Sequence, residues 1–256
     1  MSLTNKSKKD TYKDLFYLNN SNNGFPATTP QRVIDGAGNS SSLKLSQDKV
    51  ILQPTANNTS DMLQVQNKNA EVVLNISTST QLVKVHASQN YVNTQYKTFK
   101  CVQLNPTANT WYPMTFDGGL SDAIPDNFGT GSEPATTFTA TYTMLNKYWY
   151  VHDNITIDAV KVLHMGDDSA SIDTLSYSLN SFTLDSSGAG SGDLSSGVVN
   201  ANSSSQVIDN ADMDLHSLSL ATPDIDAGKV ILMMVRGGSS TNNDITASVH
   251  IKFHLR

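Results

Sequence analysis

The chain ends in the run ITASVHIKFHL at residues 245–255, in which every second residue from Ile245 to Leu255 is apolar. The residues between them are polar. Side chains on a β-strand alternate between two faces, so this period of two predicts a long strand with one face on a core and the other on solvent. The run indicates a β protein.

Runs with the same period recur through the second half of the chain. They are separated by turn residues at intervals typical of a sandwich, and residues 155–163 are apolar on both faces, as in a central strand. No segment of convincing length has a helical period. We therefore predict an antiparallel, jelly-roll-like β-sandwich of about eight strands over residues 91–256. Residues 138–144 are predicted as one of its strands, and residues 91–134 as its loops and edge strands.

The first third of the chain carries shorter strand-like runs with fewer apolar residues, for example at 43–52 and 72–76. A two-stranded hairpin is marginally stable in water, and these runs hold too few apolar side chains to build a core alone. Copies of the same chain are the simplest source of a covering surface. We therefore predict that residues 25–90 form short β-hairpin modules in a stem that is ordered by self-association.

Composition limits the classes of function. The 256 residues carry a net charge of −6 and no arginine-rich run, which argues against nucleic-acid binding. Cys101 is the single cysteine, which excludes an intramolecular disulfide and a cysteine-based zinc site. No apolar stretch reaches the roughly 18–20 residues of a membrane span, and the first residues lack the apolar part of a signal peptide. The expected product is soluble, is synthesised in the cytoplasm and has no membrane partner.

Residues 1–24 combine a polar, lysine-containing tail with one apolar cluster, which consists of Leu15, Phe16, Tyr17 and Leu18. One interpretation is a frayed, solubilising terminus, because chain ends are commonly loose. The other is an attachment segment whose large apolar side chains insert into another protein, since an exposed apolar patch usually marks an interaction surface. The sequence is compatible with both.

The sequence shows no complete set of residues for a metal site or for catalysis. His250 and His254 would lie about 13–14 Å apart on one strand, too far to share a metal ion, although a histidine near a symmetry axis could bind an ion with its copies. The acidic clusters at 167–168, 209–214 and 224–226 lack the spacing of a calcium loop, and the aspartates within 117–126 are weak candidates for a glycosidase pair. No nucleophile elbow or phosphate-binding loop is present. We predict no enzyme activity, no cofactor and no metal site.

Aromatic residues suggest a different class of function, a carbohydrate-binding, lectin-like module. The candidates for stacking on a sugar are Trp111, Tyr112 and Trp149, together with Tyr150. Alternation along a strand places Trp149 and Tyr150 on opposite faces, so at least one large ring should be exposed. Core packing is the alternative role of these rings.

Several stretches resemble a known class of proteins. The strings YKDLFYLNNSNNG at 12–24 and VIDGAGNSSSLKLS at 33–46 resemble the N-terminal segments of structural proteins of tailed bacteriophages. Residues 223–232 and 245–249 are similar to the closing strands of jelly-roll heads in the same class. Proteins of this class are fibres, spikes or capsid appendages with an attachment piece, repetitive β modules and a C-terminal head.

The resemblance implies a homotrimer located in the virion. Residues 1–24 would attach to a capsid, portal, adaptor or tail protein through Leu15–Leu18, and residues 25–90 would form an intertwined trimeric stem. Residues 91–256 would project as a head that could contact a glycan of the host surface. The chain is short for a host-range tail fibre, so a head fibre or capsid decoration protein is the alternative.

Overall fold

The computed structural model describes residues 16–20, 23–85, 90–116, 127–139, 142–166, 173–185, 193–208, 212–238 and 244–256. Strands dominate these residues, and a 3₁₀ helix at Tyr142–Lys147 is the single helical element among them. The predicted all-β class is therefore confirmed. The chain divides into two compact units, the first unit at Met1–Val92 and the second unit at Asn93–Arg256.

The strands of the first unit form two four-stranded antiparallel sheets in which sequence neighbours pair. One sheet contains β1 (Tyr17–Leu18), β2 (Gln31–Ile34), β3 (Ser40–Leu45) and β4 (Val50–Leu52), and the other contains β5 (Leu63–Gln66), β6 (Val72–Ser77), β7 (Leu82–Val85) and β8 (Asn90–Tyr91). Local turns permit this arrangement. The Asp35 carboxylate accepts hydrogen bonds from the backbone N–H groups of Ala37 and Asn39, and Asn67 acts in the same way between β5 and β6. Such bonds reverse the chain and allow the next strand to pair.

The first unit encloses almost no core. Among its described residues, Ile34 is the one apolar side chain that is buried, at 8% exposure. The other apolar residues of its strands are half-buried or exposed. Since burial of apolar surface is the main driving force of folding, paired strands of this kind owe little stability to an interior of their own.

The second unit contains two antiparallel sheets. Sheet A has the order β11-β9-β21-β13-β17, with β19 also paired to β13, and sheet B has the order β10-β20-β14-β15-β18, with β12 paired to β20 and β16 paired to β14. The strands are β9 (Thr94–Leu104), β10 (Trp111–Pro113), β11 (Thr115–Phe116), β12 (Trp149–Tyr150), β13 (Ile155–Gly166), β14 (Asp173–Leu184), β15 (Leu194–Asn202), β16 (Gln206–Ile208), β17 (Asp214–Ser217), β18 (Ser219–Leu220), β19 (Asp224–Ile225), β20 (Lys229–Gly237) and β21 (Ile245–Leu255).

The order of the strands identifies the topology. Taken along the chain, the principal strands are β9, β10, β13, β14, β15, β17, β20 and β21. Sheet A then holds the first, eighth, third and sixth of them, and sheet B holds the second, seventh, fourth and fifth. The chain therefore crosses repeatedly between the sheets, as in a double-sheet jelly roll. The predicted jelly-roll-like β-sandwich is confirmed.

The main core lies between sheets A and B. Strand β21 supplies its predicted apolar stripe, in which Ile245, Ala247, Val249, Ile251 and Phe253 are all buried. These side chains pack in one cluster with residues of β13 and β14. The strand predicted from the period of residues 245–255 is thus present with the expected face inward.

Strand β20 is buried on both faces, which explains its continuous apolar run from Val230 to Val235. One set of alternate residues faces the main core. The other set belongs to a second cluster, which contains Trp111, Phe128, Phe182, Leu194, Val230, Leu232 and Met234. The ring of Phe138 packs against this cluster, 4.2 Å from the ring of Phe128 and 5.4 Å from that of Phe182 between centroids.

The strand predicted at 138–144 is wrong over its last residues, because Tyr142–Lys147 forms the 3₁₀ helix. Phe138 makes an isolated bridge with Leu194, and Lys147 at the end of the helix is 98% covered. A period of two over so few residues is a weak signal that tertiary packing overrides.

Candidate functional site

An apolar groove lies on the first sheet of the first unit. Its volume is about 470 Å³, and it is lined by Phe16, Tyr17, Leu18, Phe25, Val33, Ser41, Leu43 and Leu45. Pairing of β1 with β2 places Leu18 beside Val33. Side chains from β1, β2, β3 and the Phe25 loop thus converge on one surface.

The groove contains three of the four predicted attachment residues. Phe16 is 70% exposed and Tyr17 is 42% exposed, whereas Leu18 is half-buried; Leu15 lies outside the described residues. Phe25, Val33, Leu43 and Leu45 were not assigned to a site from the sequence. Their alternation with polar residues along the sequence could have indicated an apolar face. It does not show that β1 lies beside them.

Strand β4 extends the exposed apolar surface of this unit. It forms one edge of its sheet, and its three residues Val50, Ile51 and Leu52 are 69%, 39% and 40% exposed. Because consecutive residues of a strand point to opposite faces, both faces of this edge present apolar side chains. An edge with unpaired backbone groups and apolar faces is a template for pairing with another chain.

A second groove, of about 420 Å³, lies in the second unit and has an aromatic floor. It is lined by Gln95, Lys97, Phe116, Trp149, Tyr150, Val151, His152, Asp153, Ile155, Phe253 and Leu255. The Trp149 ring is 7% exposed and packs between Phe116 and Phe253, with centroid distances of 6.2 and 4.9 Å. The Tyr150 ring is 45% exposed and meets the edge of His152 at 5.0 Å. The groove thus combines an apolar floor with a polar rim, as small-ligand sites do.

The candidate sugar-stacking residues do not form one platform. Trp111 pairs with Arg236 on β20, whereas Trp149 pairs with Ile231 on the same strand. Positions five residues apart on a strand face opposite sides, so the two indoles belong to different surfaces. Tyr150 is the exposed ring of the second groove, whereas the sequence predicted only that at least one ring of this strand is exposed.

Trp111 and Tyr112 are structural in this unit. Trp111 is 2% exposed, its indole N–H donates to the Gly131 carbonyl at 3.2 Å, and the Arg236 guanidinium lies 5.3 Å from its ring centroid. The Tyr112 ring packs against the main core, and its hydroxyl accepts the Thr107 N–H. The Trp111 ring therefore has no open face for a sugar, whereas Tyr112 is half-buried.

Three of the acidic and histidine candidates, Asp224, Asp226 and His254, form ion pairs with other residues of the chain. Asp224 and Asp226 form ion pairs with Arg256 at 3.5 and 2.9 Å. His254 was expected on the polar face but is only 5% exposed. One of its ring nitrogens lies 2.9 Å from the carboxylate of Asp158. Asp158 is the extra residue of a β-bulge between Ile157 and Ala159. Residues 117–126 and 167–168 and Asp209 lie outside the described residues.

Comparison with known proteins adds little to this geometry. No family model and no curated protein matches the sequence. A solved structure described as "Structure of infectious bursal disease virus Gx strain" aligns with a TM-score of 0.28 and 9% identity, over 90% of this chain and 66% of that chain. At that score the similarity supports no assignment. No helix among the described residues is long and apolar enough to cross a membrane.

Proposed function

We propose that this protein is a homotrimeric structural component of a tailed-bacteriophage particle. The first unit would build the trimeric stem and attach, through the segment containing Phe16–Leu18, to a capsid, portal, adaptor or tail protein. The jelly-roll unit would project from the particle as a head without catalytic function. The phage assignment rests on the resemblance of residues 12–46, and jelly rolls are a common fold of viral capsid and lectin domains. A head fibre or capsid decoration protein is the alternative position in the particle.

One observation supports self-association most directly, namely the uncovered apolar surface of the first unit. Its described residues bury one apolar side chain, while the groove around Phe16 and the edge strand β4 remain exposed. Monomeric proteins rarely leave such continuous apolar patches in water. Sister chains would cover these patches and pair with the open strand edges.

Light scattering coupled to size-exclusion chromatography tests the oligomer. We expect a particle of three times the 27.7 kDa chain mass at micromolar concentration. A stable folded monomer at that concentration would contradict the proposal. The phage assignment has a separate test, because peptides of this chain should be found by mass spectrometry in purified particles of the phage that encodes it.

A matched pair of valine substitutions locates the interface. Val50→Lys places a charge on the exposed edge strand of the first unit, and Val207→Lys makes the same change at a 52% exposed valine of β16 in the second unit. Burying an unpaired charge in an interface is strongly unfavourable, so Val50→Lys should weaken the trimer. Val207→Lys should leave the particle mass unchanged. Equal effects of both substitutions would argue against an interface at β4.

A second candidate function is glycan binding in the aromatic groove of the second unit. It is favoured by the half-exposed Tyr150 ring beside the polar groups of Lys97 and Asp153. In a glycan-array experiment, Tyr150→Ala should abolish any binding found for the wild-type protein. Tyr96→Ala is the control, because Tyr96 is 68% exposed and is not part of the groove lining. Binding that survives Tyr150→Ala would exclude this groove.

A further inference from the structure

Three potential metal ligands meet at the edge of sheet A. His164 lies on β13, and Asp214 and His216 lie on the adjacent edge strand β17. His164 is directly opposite Asp214, and His216 is opposite Val162. Directly opposed residues, and residues two apart on one strand, share a face of the sheet. The imidazole nitrogens and carboxylate oxygen that these residues offer all lie within 4.8 Å of one another.

The histidines of this cluster have nitrogen atoms without partners. His164 is 1% exposed, and its Nε2 atom is buried with no hydrogen bond; the buried Nε2 atom of His216 has none either. The two rings meet edge to face, with 4.6 Å between centroids. Burying a polar atom without a partner is costly, so unpaired nitrogens on two neighbouring rings call for a ligand.

The other nitrogen of His164 is held by the opposite sheet. Its Nδ1 atom lies 2.8 Å from the hydroxyl of Tyr177, a fully buried residue of β14. When Nδ1–H donates to this hydroxyl, the lone pair of Nε2 is free to bind a metal ion, and a partner of this kind fixes the orientation of a ligand histidine. Burial, followed by the neighbouring His216, lowers the pKa of His164 to about 4, so its imidazole is neutral at pH 7.

We infer that His164, Asp214 and His216 bind one divalent transition-metal ion, for which Zn²⁺ is the best fit. Two imidazoles and a carboxylate are a donor set of zinc sites with an open fourth position, whereas calcium and magnesium prefer oxygen ligands alone. Tetrahedral bonds of about 2.0–2.1 Å require ligand atoms roughly 3.3 Å apart. Asp214 and His216 are half-buried on an edge strand, where side-chain rotation can close the remaining distance. The ion would tie β17 to β13.

Metal titration of the full chain tests this inference. Tag-free protein is first treated with a chelator and then titrated with Zn²⁺ in competition with a chromophoric indicator, and Co²⁺ is added in parallel to report coordination through its visible spectrum. We expect one ion per chain and a Co²⁺ spectrum of tetrahedral type. Zn²⁺ should also raise the melting temperature of the second unit, because a ligand that binds the folded state stabilises it.

Two substitutions and one control identify the ligands. Loss of a residue that only hydrogen-bonds to a metal ligand already lowers metal affinity by about tenfold or more. His216→Ala and Asp214→Asn remove ligands themselves, so each should weaken Zn²⁺ binding by more than about tenfold. Both residues are partly exposed, so the metal-free variants should keep the circular dichroism spectrum of the wild type. His250→Ala removes an exposed histidine of β21 and should leave affinity unchanged. Absence of stoichiometric binding, or equal loss in His216→Ala and His250→Ala, would overturn the assignment.

Discussion

The two units of this chain use the same elements, antiparallel strands joined by short turns, but differ in what covers their apolar faces. In the second unit two sheets face each other, and most apolar residues of the long strands are fully buried. In the first unit the strands pair just as regularly, yet Ile34 is the one buried apolar side chain among the described residues. Strand pairing therefore does not by itself produce a core. A second layer is needed, and the described residues of the first unit do not supply one.

The largest expected difference between the units concerns Cys101, which is buried in the main core. Burial raises the pKa of the Cys101 thiol to about 12, so the reactive thiolate is almost absent. We expect a thiol reagent to label the native protein at least ~1000-fold more slowly than the unfolded protein, because labelling requires opening of the second unit.

Dilution sharpens this test. Dissociation of a trimer should speed amide hydrogen exchange in the first unit but leave the labelling of Cys101 unchanged, because the second unit has its own core. Rapid labelling of the dilute native protein would show that the second unit also depends on sister chains.

Truncation of one core residue should have the next largest effect. Leu232→Ala removes a fully buried side chain of β20 and should lower the free energy of unfolding of the second unit by about 2–5 kcal/mol. Leu52→Ala in β4, where the side chain is 40% exposed, should change that free energy by less than about 0.5 kcal/mol. Denaturant unfolding followed by tryptophan fluorescence measures both, since Trp111 and Trp149 lie in the second unit. If both substitutions lowered the free energy of unfolding by a similar amount, the two units would not differ in how far they depend on buried apolar side chains.

Glycine-to-alanine substitutions in the two units should also differ in their effect on the stability of the second unit, by a smaller amount. A Cβ atom at Gly197 would lie 2.6 Å from Cε1 of Phe182 and 3.0 Å from Cα of Thr136, so Gly197→Ala should destabilise the second unit by about 1–3 kcal/mol. Gly38 has a φ of +91° in the turn between β2 and β3, with no atom within 4 Å of its Cβ position. Gly38→Ala should therefore strain its turn and leave the thermal transition of the second unit unchanged. A shift of that transition by Gly38→Ala would show that the stability of the second unit depends on the first unit.

The smallest effect is a pH dependence of the Asp35 turn. Hydrogen bonds from Asn39, first from its side chain and then from its backbone, lower the pKa of the Asp35 carboxyl below its ordinary value of 3.8. A group with a lowered folded-state pKa contributes stability above its unfolded-state pKa and loses it as the pH falls through the folded-state pKa.

In an NMR titration that detects the carboxyl carbon, more than half of the Asp35 side chains should be ionised at pH 3.8. The turn should loosen only below that pH, and Asp35→Asn should remove this dependence. Titration of Asp35 at or above 3.8 would contradict the turn geometry.

Local patterns predicted the elements well where the period of two was long and unbroken. The prediction of loops and edge strands at 91–134 is wrong for Thr94–Leu104, which forms the eleven-residue strand β9 between β11 and β21. The period of residues 245–255 predicted both a strand and its buried face, and the shorter alternating runs at 43–52 and 72–76 predicted strands of hairpins, which β3, β4 and β6 form. The pattern failed at 142–144, where the alternating signal was short and the chain forms a 3₁₀ helix instead. The groove residues Phe25, Val33 and Leu43 escaped prediction because no local pattern shows that they meet Phe16 and Tyr17.

By itself, the sequence determined an all-β chain, the buried face of strand β21, and the low apolar content of the first third. These are local properties, set by the alternation of side chains and by turn chemistry. The tertiary structure alone decided which distant residues become neighbours. It separated Trp111 from Trp149 by their positions along β20, and it brought His164 to His216 by the register of β13 and β17. Strand register is set by the sum of contacts across two sheets, and a one-residue change would turn every side chain to the other face.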